Sequence, residues 1–261
     1  MSKKNILFFA DVEIPQLKLT RKDYNADVFK IGIKSFTNWA KQYSDIEVIV
    51  LSELIHDHDY MKVNFQRYYV FDLLENEGID YDQILISDAD CIIHPDCPNF
   101  FELSEHKYTV TQTVGSMDWV LRSYETYSKY LFNDQQFPWY KYFNAGFQIV
   151  NKNHKFIFKD LIDLYHSNSE LIRGLQTKFG VGTDQPVINF LANLSGVDMK
   201  FLPYEFCMTD LYRMEILGDD MMFANKFKGI YQFNCLPSHN GVALAGDVHY
   251  WMQKTYNYLY K

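Results

Sequence analysis

Short unbroken apolar runs alternate with longer stretches in which apolar residues recur every three or four positions, the pattern of successive strands and crossover helices. Residues 5–10 form the first compact run, closed by Asp11, and predict a strand whose end faces a ligand. Across 25–43, Val28, Ile31, Ile33, Phe36 and Ala40 recur at near-helical spacing and predict a crossover helix. A second strand over 46–51 completes a right-handed βαβ unit. Residues 62–77 set Phe65, Tyr69, Leu73 and Leu74 on one predicted helical face, with Gly78 as the stop signal. That helix delivers the chain into Tyr81-Asp82-Gln83-Ile84-Leu85-Ile86-Ser87-Asp88-Ala89-Asp90. Ile84, Leu85 and Ile86 follow one another without polar alternation, which suits a strand buried on both faces of a parallel sheet. The expected fold class is therefore α/β, with a mostly parallel central sheet flanked by helices and a Rossmann-like N-terminal half.

Beyond Asp90, Ile92 and Ile93 continue briefly as extended chain until Pro95 and Pro98 break it. Residues 108–113 predict a strand rich in Thr, Val and Tyr, and 119–132 a helix within an aromatic region. A strand over 143–151 follows the turn-like Asn144-Ala145-Gly146, and 155–165 is an amphipathic helix. Residues 183–194 predict another helix, with Asp184 as an acid in its first turn near the positive end of the dipole. Short strands over 200–203 and 229–233 and an aromatic-rich helix over 250–260 close the chain.

Composition narrows the class. A chain of 261 residues with 48% hydrophobic content supports a sizeable core, read as one domain over 1–261, and only 12 Gly and 7 Pro argue against disorder. A net charge of −8 gives no electrostatic reason to bind nucleic acid or an anionic membrane, so an anionic ligand needs a metal or a local basic residue. Lys3 and Lys4 before the first apolar run superficially resemble a signal peptide, but Asp11 and Glu13 end that run too soon. No stretch approaches the roughly 20 apolar residues of a membrane span. A soluble, cytoplasmic protein is expected. Cys91, Cys97, Cys207 and Cys235 lack zinc-ligand spacing and read as buried free thiols, Cys91 being disfavoured as a nucleophile by its acidic neighbours.

The chemistry concentrates at Asp88 and Asp90. In open α/β sheets ligands bind outside the carboxyl ends of the strands, and residues i and i+2 of extended chain face the same side. Two carboxylates so placed suit one hard cation, Mn²⁺ or Mg²⁺, which takes one or two carboxylates plus substrate phosphates. A solvated strand terminus is the plainer alternative.

Four ordered pieces then resemble the metal-dependent nucleotide-sugar glycosyltransferases of the GT-A fold, in particular glycosyltransferase family 8. They are Gln66-Arg67-Tyr68-Tyr69-Val70-Phe71-Asp72-Leu73-Leu74 leading into the acidic strand, Phe143-Asn144-Ala145-Gly146, Gly182-Thr183-Asp184-Gln185, and Ser238-His239-Asn240-Gly241. The resemblance implies a nucleotide-binding half (1–113), an acceptor-side half (114–261), and a nucleoside diphosphate sugar donor, a UDP-sugar, passed with retention to an acceptor hydroxyl not identified by the sequence. It implies that Asp90 binds the metal, that Asp88 shares the metal or holds the ribose, and that His239 is a further ligand with His249 as its rival. It further places Ala10, Asp11, Arg67, Asp88, Asn144, Gly146 and Gly241 at the donor, and Asp184 and Gln185 under the reacting carbon. Arg67 otherwise reads as a solvent-facing helix residue, Asn144 and Gly146 as a turn, and Asp184 and Gln185 as a helix start. The family's late lysine has no counterpart in 242–247, which leaves Lys254 or the metal to stabilise the leaving group. Trp119, Trp139, Tyr140 and Tyr142 read as core in preference to an acceptor platform.

Two other classes share the signals. A haloacid dehalogenase-like phosphohydrolase also uses a strand ending in Asp-x-Asp, and Gly218-Asp219-Asp220 resembles its later acidic motif, although Asp88 follows a full βαβ unit where that nucleophile strand stands near the chain start. A catalytically silent nucleotide-sugar-binding protein would keep the site without turnover.

Overall fold

The computed structural model describes residues 3–14, 27, 29–113, 117–209, 226–234 and 245–261. Six strands form one sheet in the order β2-β1-β3-β6-β5-β7. These are β1 (Lys4–Ala10), β2 (Ile46–Leu51), β3 (Tyr81–Ser87), β5 (Tyr108–Gln112), β6 (Phe143–Val150) and β7 (Met199–Leu202). Pairing is parallel throughout except along β6, which runs antiparallel to both β3 and β5. Strand β4 (Cys91–Ile93) leaves the main sheet and pairs antiparallel with β8 (Ile230–Gln232).

Both faces of the sheet are covered, which is why the central strands lack polar alternation. Ile6, Phe8, Ile84 and Ile86 pack on one face with Tyr68, Phe71 and Leu74, whereas Leu7, Phe9 and Leu85 pack on the other with Phe36, Trp39 and Phe100. Successive strand residues alternate between these two cores. At roughly 1.5–3 kcal/mol for each fully buried large apolar side chain, the two layers dominate the fold's stabilisation. A third cluster, Ile92, Met208, Tyr231, Phe233, Trp251 and Met252, lies under the terminal helix Ala245–Leu259.

The helices follow the expected order with shifted bounds. Helix α1 spans Lys30–Ala40, and residues 25, 26 and 28 of the expected 25–43 helix lie outside the described residues. The expected 62–77 helix is broken into α2 (Val63–Gln66), a 3₁₀ turn (Arg67–Tyr69) and α3 (Val70–Asn76). Its buried apolar positions are Phe65, Tyr68, Val70, Phe71 and Leu74, with Gln66 and Arg67 also buried, in place of the helical face expected through Tyr69 and Leu73. Tightening to three residues per turn carries Arg67 inward. Gly78 ends this segment at φ 67°, a conformation only glycine adopts freely.

Three further helices matter for the site: α4 (Phe100–Leu103) caps β4, α5 spans Met117–Tyr130, and α6 runs over Lys155–Phe179, well past the expected end at 165. The polar stretch around Asn168 masks that continuity. Asn168 leaves helical geometry and donates from Nδ2 to the Leu164 carbonyl at 3.0 Å. Helix α7 is Asp184–Leu194 and α8 is Ala245–Leu259. The strand expected over 143–151 is β6, and the turn-like Asn144-Ala145-Gly146 lies buried inside it. Cys91, Cys97 and Cys207 are buried free thiols, and Cys235 lies outside the described residues. No described helix is long and apolar enough to cross a membrane.

Candidate functional site

A cleft of about 200 Å³ opens at the carboxyl ends of β1 and β3, where Ala10, Asn64, Arg67, Ser87, Asp88 and Asp90 line it. Helix α1 sits close beneath the acidic turn. A side chain at Gly32 would place its Cβ 2.2 Å from the Ala89 carbonyl oxygen and 2.6 Å from that of Cys91, so only glycine admits this approach. The Ser35 hydroxyl accepts from the Ile93 N–H at 3.1 Å, which fixes β4 just after the pair.

Two cross-links build the site. In the first, Arg67 spans two carboxylates: Nη1 donates to Asp88 Oδ1 and Nη2 to Asp184 Oδ2. Asp184 is enclosed by further donors, since the Tyr68 hydroxyl reaches Oδ2 at 3.0 Å while Asn64 Nδ2 and the Thr183 hydroxyl each reach Oδ1 at 2.9 Å. In the second, Gln232 Nε2 donates to Asp88 Oδ2 at 2.6 Å and lies 3.3 Å from Asp90 Oδ1. Its Oε1 accepts from Asn144 Nδ2 at 2.8 Å. Asn144 Oδ1 in turn accepts from the Gly146 N–H at 2.8 Å, and the Asp88 N–H donates to the Gly146 carbonyl at 3.1 Å. A Cβ on Gly146 would stand 2.5 Å from Asp88 Oδ2, so this glycine makes room for the carboxylate. A buried tie of Tyr108 Oη to Gln148 Oε1 at 2.6 Å, and of Gln148 Nε2 to Tyr68 Oη at 3.3 Å, supports the network from below.

The charges are unevenly matched. Burial opposes the Arg67 cation, but Asp184 and Asp88 outweigh it and hold the guanidinium well above its ordinary range. Arg67 thus serves Asp88 and Asp184 and leaves Asp90 weakly compensated. Burial and the adjacent Asp88 carboxylate push Asp90 up to about 7. Two carboxylate oxygens of neighbouring residues converge on the positive end of the Gln232 amide dipole, the kind of position a cation would take. The oxygen donor set and the local excess of negative charge fit Mg²⁺ or Mn²⁺ held by Asp88 and Asp90. Among the described residues no group of three or more His, Cys, Asp or Glu side chains is disposed to hold a metal ion.

The remaining expected residues divide. Asn144, Gly146, Arg67, Asp88, Asp90 and Asp184 are joined in one network, and Ala10 lines the cleft beside them. Asp11 follows at the end of β1, where its N–H donates to the Leu51 carbonyl at 3.0 Å and burial raises its carboxyl pKa. Gln185 Oε1 accepts from the Ala145 N–H at 3.0 Å, which ties α7 to β6. His239, Gly241 and Gly218-Asp219-Asp220 lie outside the described residues. His249 and Lys254 line a separate groove along α8 with Tyr250 and Tyr258, and neither lines the cleft at Asp88. Lys254 stands over the Tyr250 and Trp251 rings. Burial holds the Cys91 thiol well above its usual range.

Sequence reading missed Gln232, Asn64, Tyr68 and Gln148. Gln232 sits in a three-residue strand with no motif around it, and its role follows only from β8 pairing with β4, which opposes it to Cys91. Asn64 and Tyr68 flank Arg67 within three places, so proximity to the basic residue was the available signal.

No family model and no curated protein matches the chain. Solved structures do. A glycosyltransferase involved in the glycosylation of the major capsid of PBCV-1 superposes with a TM-score of 0.57 over 95% of this chain and 98% of that one, at 9% identity. Two structures of the glycosyltransferase GlyE of Streptococcus pneumoniae TIGR4, one of them the apo form, superpose with TM-scores of 0.52 at 14% and 15% identity. They match 99% of this chain, which spans only 63% and 64% of theirs. The chain shares the fold of these glycosyltransferases.

Proposed function

We propose that the protein is a metal-dependent glycosyltransferase of the GT-A type, akin to family 8, that moves a sugar from a UDP-sugar to an acceptor hydroxyl with retention of configuration. The observation that carries this reading is the convergence of Asp88, Asp90 and the Arg67 guanidinium on one cleft at the carboxyl ends of β1 and β3, in a fold shared with glycosyltransferases. A phosphohydrolase reading draws less support, because Asp88 ends a strand that follows a full βαβ unit and the solved structures that superpose are glycosyltransferases.

In this reading Ala10 and Asp11 border the nucleoside, and Asp88 and Asp90 face the diphosphate. Mn²⁺ or Mg²⁺ held by that pair supplies Lewis-acid stabilisation of the departing diphosphate. Arg67 aims Asp88 and adds positive charge beside the leaving group. Asp184 acts as the positioning residue for Arg67, because its carboxylate accepts from Arg67, Tyr68, Asn64 and Thr183 and it is itself 4% exposed. Gln185, half-buried at the start of α7, is the nearer candidate to contact the sugar. Asn144 and Gly146 hold Gln232, and through it the acidic pair, at the sugar-facing side.

A nucleotide-sugar panel read by thermal shift tests the reading. A donor at 100 times its Kd stabilises the native state by about 2.7 kcal/mol, roughly 5–10 °C for a domain of this size. UDP-sugars should give such a shift only with Mn²⁺ or Mg²⁺ present. No shift with any nucleotide sugar would remove the proposal.

A further inference from the structure

The donor cleft leaves unexplained the segment that precedes β6. Trp139 and Tyr140 are 50% and 57% exposed and adjacent, with ring centroids 6.2 Å apart and planes at 79°. Leaving two large aromatic rings in water forgoes the hydrophobic gain of burying them, and such rings are characteristic of recognition surfaces. The sequence reading had assigned them to the core with Trp119 and Tyr142. Tyr142 is buried and Trp119 partly so, but this pair is not.

Their backbone is held rigidly. Gln112 Nε2 donates to the Tyr140 carbonyl at 3.1 Å, and Asn189 clamps Phe143 through both its N–H and its carbonyl at 2.7 and 2.9 Å. Upstream, the Tyr124 hydroxyl donates to the Phe137 carbonyl at 2.6 Å. Asn133 and Asp134 both adopt positive φ, 51° and 60°, which folds the preceding loop back on α5. The structure therefore fixes the pair in place and still leaves the rings in solvent.

Topology sets them on the side of the cleft. Because β6 is antiparallel to β3 with Phe147 opposite Ser87, residues before Phe147 continue beyond the carboxyl end of β3, where Asp88 begins. From Gly146, beside Asp88, back to Tyr142 is four extended residues, about 13 Å at ~3.3 Å each. The exposed polar residues that flank the rings along the chain are Asn133, Asp134, Gln135, Gln136 and Lys141, three neutral amides and one charge of each sign.

We infer that Trp139 and Tyr140 form a stacking platform for the acceptor, a neutral oligosaccharide longer than one ring. Pyranose C–H faces pack on aromatic rings, the amides match ring hydroxyls, and the balanced local charge gives an ionic sugar no advantage. Length follows from the span: an acceptor on the platform reaches the cleft only through more than one sugar. The inference rests on the glycosyl-transfer reading for the identity of the reaction.

The test compares the full chain with Trp139→Ala/Tyr140→Ala on a printed array of neutral hexose and N-acetylhexosamine oligosaccharides. The wild type should bind a subset of the longer glycans, and the double variant should lose at least tenfold in apparent affinity, with Trp139→Phe keeping most of it. Circular dichroism and Tm establish that the variants fold. Unchanged array binding by the double variant, or none by the wild type, overturns the platform. The UDP-sugar thermal shift with Mn²⁺, measured on the same samples, separates the two readings: its absence in the wild type strikes the donor assignment and leaves glycan binding standing.

Discussion

Replacing Gly146 by Ala perturbs the site at its tightest point. The added Cβ would stand 2.5 Å from Asp88 Oδ2 and 3.0 Å from Gln232 Nε2, closer than such atoms approach in folded proteins. Strand β6 cannot retreat, because all its residues are buried between two packed layers. The Asp88 carboxylate must therefore turn, which loosens its bonds to Gln232 and Arg67. Overpacking costs about 1–3 kcal/mol and a weakened charged hydrogen bond about 1.5–3 kcal/mol. A combined loss of roughly 2.5–6 kcal/mol lowers Tm by about 5–24 °C. Gly174→Ala is the matched control: nothing lies within 4 Å of a Cβ there, and Gly→Ala inside a helix stabilises by about 0.5–1 kcal/mol. Denaturation of the two variants, together with calorimetric titration of Mn²⁺ and UDP-sugar, reads both effects. Gly146→Ala should lose stability and donor affinity together. If it unfolds with the wild-type midpoint and binds donor as tightly, the packing of Asp88 against β6 has been misread.

Other substitutions probe the same network. Arg67→Lys keeps the charge but not the fork that spans Asp88 and Asp184, and should cost about 2–3 kcal/mol in urea unfolding, with donor affinity falling in parallel. Gln232→Glu sets a third carboxylate against Asp88 and Asp90; Tm should drop at neutral pH in EDTA and recover with added Mn²⁺ more than the wild type gains. His154 is neutral in the folded protein, its Nδ1 accepting from the Asn151 N–H at 3.1 Å and its pKa pushed down to about 4 by burial. Its contribution is complete above the ordinary pKa near 6.5 and is lost as pH falls from there toward 4. Melting curves across that window should show a steeper decline for the wild type than for His154→Gln.

The sequence made the central strands legible because burial on both faces left uninterrupted runs such as Ile84-Leu85-Ile86. It made the acidic pair legible because Asp88 and Asp90 end such a run. Helix breaks were harder. The 3₁₀ turn at Arg67–Tyr69 depends on Gln66, whose buried amide binds the backbone of 55–61 at Ile55, His56 and Met61, contacts that no local spacing encodes. The inward aim of Arg67 was therefore invisible in the periodicity. Gln232 was hidden for a similar reason, since its partners lie 142 and 144 residues away and meet it through strand pairing. Asn144 and Gly146 carry turn-favouring residue types, yet the strand expected over 143–151 runs through them because the segment is buried along its whole length. The exposure of Trp139 and Tyr140 likewise follows from their place in the 3₁₀ turn Trp139–Lys141 ahead of β6, which their own composition does not reveal.

The most direct measurement of the central claim is release of UDP from a UDP-sugar by the purified chain, with and without Mn²⁺, alongside Asp90→Asn. The account predicts metal-dependent release by the wild type, loss of at least a hundredfold in the variant, and an unchanged circular dichroism spectrum. Release that proceeds equally in EDTA, or that survives Asp90→Asn, would contradict it.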